Sequence, residues 1–231
     1  MKKLIVGLLM LISNLSLANW DINVDFLNIN IEAIRIAEVE SPQSGIDYFE
    51  KEASEYANKD GRFEYELSSL YYEYDNLSEA YKYIIKAYFL NKKASLIYSK
   101  MADLQMKNYG ENVDKGDLET LYNKAVLYLR ENNINDNIAI MDLEFELEYY
   151  QKALIRYDAI DLIIDGYNKK REKRGEPAFS YFDFPHIAYK IKVLRILGNE
   201  KQADDLAIKL KNNTSVLRSL TEEYTNDNAT R

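Results

Sequence analysis

Leu67-Ser68-Ser69-Leu70-Tyr71-Tyr72-Glu73-Tyr74-Asp75-Asn76-Leu77-Ser78-Glu79-Ala80-Tyr81-Lys82-Tyr83-Ile84-Ile85-Lys86-Ala87-Tyr88 is the stretch whose reading decides the fold. Leu67, Leu70, Tyr71 and Tyr74 recur at helical spacing, so one side of a first helix is apolar and aromatic. Asp75-Asn76 is a turn-forming pair that tolerates unusual backbone angles. Asn76 is placed to cap a second helix, with Glu79 three residues on as in a capping box. Leu77, Ala80, Ile84 and Ala87 form the stripe of that second helix. Methyl side chains at 80 and 87 let the facing helix approach closely, while larger neighbours fill the grooves. The stretch therefore predicts an antiparallel helical hairpin running to Lys92.

Leu67-Ser68, Tyr71, Leu77, Ala80, Ile84 and Ala87 together resemble the tetratricopeptide repeat. Asp75 stands where that family has a turn glycine, and Lys92 where it has a closing proline. The resemblance implies an α-solenoid, a concave surface for a protein or peptide, and no catalysis.

Outward from the hairpin, glycine and proline are scarce, at 8 and 3 residues, which favours helix throughout. A short extended lead passes into a helix ending near Val39. Ser41-Pro42-Gln43-Ser44-Gly45 reads as a break, followed by a helix from about Ile46 to Ala57. Downstream, Ala94 to Met106 and Leu118 to Leu129 read as helices, separated by a long loop containing Tyr109-Gly110. That long-loop arrangement resembles the Sel-like subclass of these repeats. From Ile138 to about Lys170 no strong breaker occurs before Gly166; Tyr150, Ala153, Tyr157 and Ile160 match the second-helix stripe, but no turn signal precedes them, so this stretch reads either as two helices or as one, bent or continuous. A charged linker, 169–177, and an aromatic run, Phe179 to Phe184, precede a helix that stops at Gly198-Asn199. Ala203, Ala207 and Leu210 complete a second clear hairpin. Marker alanines at 80, 125, 153 and 203 step by 45, 28 and 50 residues. A regular tetratricopeptide array steps by about 34. The expected fold is thus all-α, an α-solenoid of three or four degenerate, irregular hairpins over residues 19–212. Residues 213–231 read as a polar tail with room for one short helix around Val216 to Tyr224.

Residues 1–18 read as a secretory signal peptide. Lys2 and Lys3 precede a short apolar run from Leu4 to Ile12, and Ser16-Leu17-Ala18 supplies small cleavage residues. Cleavage there leaves 213 residues starting at Asn19. With no cysteine, an exported chain must be stable through packing alone, which fits a periplasmic or extracellular bacterial protein. Formal charge is −8, and −10 once Lys2 and Lys3 are removed. So acidic a surface disfavours nucleic acid and anionic lipid and steers a cationic protein or peptide towards it. No later stretch is long and apolar enough to span a bilayer. Tyrosine, with an apolar body and a polar tip, is abundant at 20 residues. Most are expected to fill helix seams. Tyr71, Tyr74, Tyr81, Tyr88, Tyr122 and Tyr157 are the candidates for a binding surface.

Little chemistry is visible. Cysteine nucleophiles are excluded, and His186 is the only histidine, which removes two-histidine zinc motifs. No Gly-x-Ser-x-Gly elbow or glycine-rich phosphate loop occurs. Asp158, Asp161 and Asp165 share one helical face, with Glu144, Glu146 and Glu148 before them, and paired carboxylates can cleave glycans. Asp114 and Asp117 lack the calcium-loop pattern. No cofactor, metal site or catalytic residue is therefore expected. The expected function is an exported protein-binding module, as an immunity or inhibitor protein or an envelope scaffold. A helical carboxylate hydrolase acting on cell-wall glycan is the alternative.

Overall fold

The computed structural model describes residues 24–178 and 186–212. The signal segment 1–18, the lead 19–23, the aromatic run with Pro185, and the tail 213–231 lie outside the described residues. Ten α-helices and no strand occur among the described residues. They are α1 Val24–Val39, α2 Pro42–Glu52, α3 Arg62–Glu73, α4 Leu77–Leu90, α5 Ser95–Tyr109, α6 Lys115–Leu127, α7 Ile134–Glu146, α8 Tyr150–Glu172, α9 His186–Ile196 and α10 Glu200–Asn212. Consecutive helices pair as α1/α2, α3/α4, α5/α6, α7/α8 and α9/α10, so the described residues form five hairpins rather than three or four.

Three hairpins turn by one device. The helix ends with a residue in the left-handed region, and two backbone bonds close over it. At the central hairpin Asp75 takes φ 62°, with Asn76 N–H donating to Tyr71 O at 2.9 Å and Asp75 N–H to Tyr72 O at 3.2 Å. At the last hairpin Gly198 takes φ 75°, with Asn199 N–H on Leu194 O at 2.8 Å. Between α7 and α8 the residue is Glu148, at φ 61°, with Tyr149 N–H on Glu144 O at 2.7 Å. This turn decides between the two alternatives the sequence left open, in favour of two helices. Glutamate gives no turn signal, and the geometry is imposed by packing of the two helices.

The break expected at 41–45 is also different. Ser41 caps α2 by accepting from Ser44 N–H at 3.1 Å, and Pro42 opens the first turn. Gly45 lies inside the helix, because its α-carbon is pressed against α1. A Cβ there would sit 2.4 Å from Ala33 O and 2.5 Å from Ala37 Cβ. The segment from Ser54 to Tyr56 is a separate 3-10 turn, so α2 ends well short of Ala57.

The first backbone bond of every second helix sets a common register. Gly45 bonds Ser41 O at 3.3 Å, Ala80 bonds Asn76 O at 3.0 Å, and Leu118 bonds Asp114 O at 3.1 Å. Ala153 bonds Tyr149 O at 3.0 Å and Ala203 bonds Asn199 O at 3.1 Å. In this register the repeats step by 35, 38, 35 and 50 residues. Ala125 lies eleven residues past its cap, as Ala87 does, so the irregular spacing read from the alanines mixed two positions. The long final step holds the extra turns of α8 and the linker after it.

Ala80, Ala87, Ala125, Ala153 and Ala203 are all fully buried, as close helix approach requires. Ser68 donates its hydroxyl to Ala80 O at 2.8 Å, and Ser95 to Ala125 O at 2.9 Å. Small side chains thus hold the helix pairs together by both contact and hydrogen bond. Asn76 caps α4 by accepting from Glu79 N–H at 3.3 Å; Glu79 itself turns to Lys82 rather than completing the box. Each second helix packs on the first helix of the next hairpin. First helices α3, α5 and α7 also pack on one another, while among the described residues no comparable contact joins one second helix to the next. Crowding the first helices and spreading the second curves the stack, with the first-helix layer on the concave side.

Candidate protein-binding face

On the concave side, each first helix turns to the solvent the residues its own hairpin does not use. In α3 these are Glu66, Ser69, Tyr72 and Glu73; in α5, Lys100, Asp103 and Lys107; in α7, Ala139, Asp142 and Glu146, with Asn135 buried on the same stripe. Side-chain contacts knit the face across helices. Asn30 of α1 donates its amide Nδ2 to Glu66 Oε2 at 3.0 Å. Tyr72 lies beneath two ammonium groups, Lys100 at 4.4 Å and Lys107 at 4.2 Å from its ring centre. Lys107 also bonds Tyr72 O at 2.8 Å and pairs with Asp75 at 2.6 Å. Further along, Phe145 of α7 meets Tyr189 of α9 edge-on at 5.9 Å and carries Lys192 at 4.5 Å.

Carboxylates dominate the middle of this face, and burial disfavours the ionised forms of Glu66, Asp103 and Asp142. Burial lifts Glu66 from the usual 4.5 to about 7, against the opposing pull of Asn30, Lys100 and Arg62. Asp103 is raised by burial and by Glu146 and Glu73, with Lys100, 3.8 Å away, opposing. Asp142 is raised well above the usual range by burial, then by Asp103 and Glu146. Its Oδ1 is shielded and has no hydrogen-bond partner among the described residues. Tyr72 is pushed up to about 12 by burial and the surrounding acids. Residues on a concave floor have protein on most sides yet remain open towards the axis, which is how Asp103 keeps 32% of its side chain exposed.

Of the six tyrosines that the sequence singles out, three are buried. Tyr71 is buried and stacks on Tyr83 with ring centres 5.5 Å apart. Tyr122 is buried and donates to Glu144 at 3.0 Å. Tyr157 is fully buried beside the His186 ring. These three fill the interior. Tyr74, Tyr81 and Tyr88 are half-buried against the core of the first hairpins. Tyr72, half-buried against the same core and held under Lys100 and Lys107, is one residue out of phase with the apolar stripe that contains Tyr71.

Of the carboxylates considered for glycan cleavage, Glu144, Asp158 and Asp161 are engaged with cations. Glu144 is fully buried and forks with Arg156, through Nε at 2.8 Å and Nη2 at 2.6 Å. Asp158 and Asp161 both bind Lys190, at 2.9 and 2.8 Å, and Asp161 also meets His186 at 3.1 Å. The hydrogen bonds from His186 and Lys190, with the Lys190 charge, hold Asp161 below the usual carboxylate range despite its burial. Glu148 sits in the turn described above.

Comparison with solved structures gives a likeness to pilF of Pseudomonas aeruginosa, with a TM-score of 0.51 and 13% sequence identity, covering 87% of this chain and 83% of that one. At that identity the likeness concerns the fold. With the ten paired helices, it establishes a tetratricopeptide-like helical repeat, an all-α solenoid. No protein-family model matches the chain, and no curated protein matches it. No helix among the described residues is long and apolar enough to cross a membrane.

Proposed function

We propose that this chain is an exported, non-catalytic module that holds a cationic protein or peptide on its concave first-helix face. The observation that carries the reading is the acidic floor of that face, where Glu66, Asp103, Asp142 and Glu146 lie in a curved layer with few cations between them. An extended basic segment would both complement this charge and relieve the repulsion among the carboxylates. Export rests on the amino-terminal signal pattern.

Two versions fit. One is an immunity protein that neutralises a basic toxin in the periplasm; the other is a scaffold for envelope assembly. Co-expression with a toxin encoded beside it separates them, since only the first rescues growth.

Binding is tested with the mature chain against peptides matched in length and differing in charge. Basic peptides should bind, and binding should weaken as salt rises from about 0.05 to 0.5 M, as screening requires. Equal binding of acidic peptides would refute the reading. Expression of the full sequence in a Gram-negative host should yield a periplasmic product beginning at Asn19; a cytoplasmic product retaining Met1 would refute export.

A further inference from the structure

The three turns closed over Asp75, Glu148 and Gly198 put one pair of positions in register. Their closing bonds are accepted by the carbonyls of Tyr71, Glu144 and Leu194. Seven residues past Asn76, Tyr149 and Asn199, whose carbonyls accept the first bond of each second helix, stand Tyr83, Arg156 and Leu206. In two repeats the pair meets and fills the seam of its hairpin. Tyr71 stacks on Tyr83, Tyr83 donates its hydroxyl to Glu50 of α2 at 2.9 Å, and Lys86 lies 4.7 Å from the Tyr83 ring centre. Glu144 forks with Arg156.

In the last repeat the pair is Leu194 and Leu206, and a groove of about 330 Å³ remains between α8, α9 and α10. Leu154 of α8 completes its apolar lining, and Asp158 and Lys209 also line it. Asp158 holds in α8 the position that Glu50 holds in α2, and Lys209 holds in α10 that of Lys86 in α4. Lys190 bonds Asp158 by Oδ1, so the carboxylate has a second oxygen to offer. The groove keeps the acceptor and the cation that surround the Tyr83 ring and lacks the ring.

The chain itself supplies one. Residues 213–231 follow α10, and Tyr224 is their one aromatic. Leu217 and Leu220 precede it at helical spacing, which brings three apolar side chains to one face. Lys209 is three residues from the end of α10 at Asn212, so the segment leaves the fold beside the groove. From Asn212 to Tyr224 the chain reaches about 18 Å as helix and about 40 Å extended. The length of α10 from Leu206 to Asn212 is only about 9 Å. A segment tethered so closely is present at about millimolar effective concentration, so a weak contact is enough to dock it.

We propose that residues 213–231 fold back on the second-helix side of the stack and seat Tyr224 in this groove. The ring lies against Leu154, Leu194 and Leu206, its hydroxyl donates to Asp158, and Lys209 stands over it. α8 and α10 meet chiefly through α9, so the seated ring ties the last hairpin directly to the one before. This inference is independent of the concave-face reading.

The test uses the mature chain with labelled leucine methyl groups, read by NMR. Tyr224→Ala should remove ring-current shifts from the methyl groups of Leu154, Leu194 and Leu206 and leave those of the buried Leu67 and Leu104 in place. Tyr224→Phe should retain them. Amide exchange in α10 should quicken about tenfold in Tyr224→Ala, for the loss of one seated ring. Leu206→Tyr rebuilds the arrangement around Tyr83, so in that background Tyr224→Ala should be silent. If Tyr224→Ala leaves the three groove leucines unmoved in the parent, the inference is overturned, whatever other segment fills the groove. Ring-current shifts that grow with protein concentration would place a second copy's Tyr224 there and overturn docking within one chain.

Discussion

Replacing Gly45 by alanine should destabilise the protein, although alanine is the better helix former. The site lies within α2, where the intrinsic preference for alanine over glycine is about 1 kcal/mol. Against that, the new Cβ would stand 2.4 Å from Ala33 O, 2.5 Å from Ala37 Cβ and 2.9 Å from Ala37 N. Two carbons in comfortable contact lie about 3.5–4.0 Å apart, so α1 must retreat by roughly 1 Å. Two of the three contacts are backbone atoms, which cannot rotate away. Overpacking of this kind costs about 1–3 kcal/mol, and more where the backbone itself must move. The expected net loss is about 1–2 kcal/mol, or a fall in Tm of about 2–8 °C for a domain of this size. Gly166→Ala is the matched control. That glycine is also inside a helix, α8, is exposed, and would have nothing within 4 Å of its new Cβ. It should gain about 0.5–1 kcal/mol. Urea titration of both variants measures the difference, and hydrogen exchange should place the Gly45→Ala loss in α1 and α2, since each repeat touches only its neighbours. Equal gains in the two variants would refute the close approach of α1 and α2.

Glu148→Gly should stabilise by about 1 kcal/mol, because the turn holds an L-residue at φ 61° where glycine is unstrained; a lower urea midpoint would contradict this. Glu144→Ala should cost about 3–5 kcal/mol by leaving Arg156, with 15% of its side chain exposed, without its buried partner. Circular dichroism at rising urea checks it, and a loss below about 1 kcal/mol would show the pair to be incidental. Glu66 binds its proton more tightly in the folded chain, at about 7, than at its usual 4.5, so its contribution to stability falls as pH rises between those values. Glu66→Gln, which can still accept from Asn30, should flatten that slope; a parent whose urea midpoint is no higher at pH 5 than at pH 8, relative to the variant, would contradict it.

Much of the fold is legible in the sequence because its determinants are local. Asp75-Asn76 announces a turn, Ala80 and Ala87 announce close packing, and Gly198-Asn199 ends α9 as expected. Where tertiary packing overrides local preference, the pattern misleads. Glu148 makes the same turn as Asp75 and Gly198 with a residue that gives no warning of it. Gly45 punctuates the sequence but sits inside a helix, because its role is contact with α1. The repeat period is hidden when Ala125, a residue of the right type in the wrong register, is taken as the marker in place of Leu118. The proposed binding face is least legible of all. Apolar periodicity finds the side of a helix that is buried, so it selects Tyr71 and passes over Tyr72. The contacts that define the face, such as Asn30 with Glu66 or Asp103 with Asp142, join residues more than 30 positions apart and leave no local pattern.

The first helices therefore carry two separable sets of residues. On α7, Met141, Leu143 and Glu144 are fully buried and support the fold. Asn135, Asp142 and Glu146 on the other side work against it, through an unpaired amide and a carboxyl that the surroundings push towards its neutral form. A cation seated there would reverse the sign of that contribution, because the ionised form becomes the favoured one. Stability of the free chain and affinity for a basic partner must then run in opposite directions with pH. Acid favours the empty solenoid, and alkali favours the occupied one, up to the point where the carboxyls ionise unaided. Such opposition does not arise from net charge alone. It requires carboxyls held on a concave floor, where the chain is too crowded to hydrate them fully and too open to have paired them.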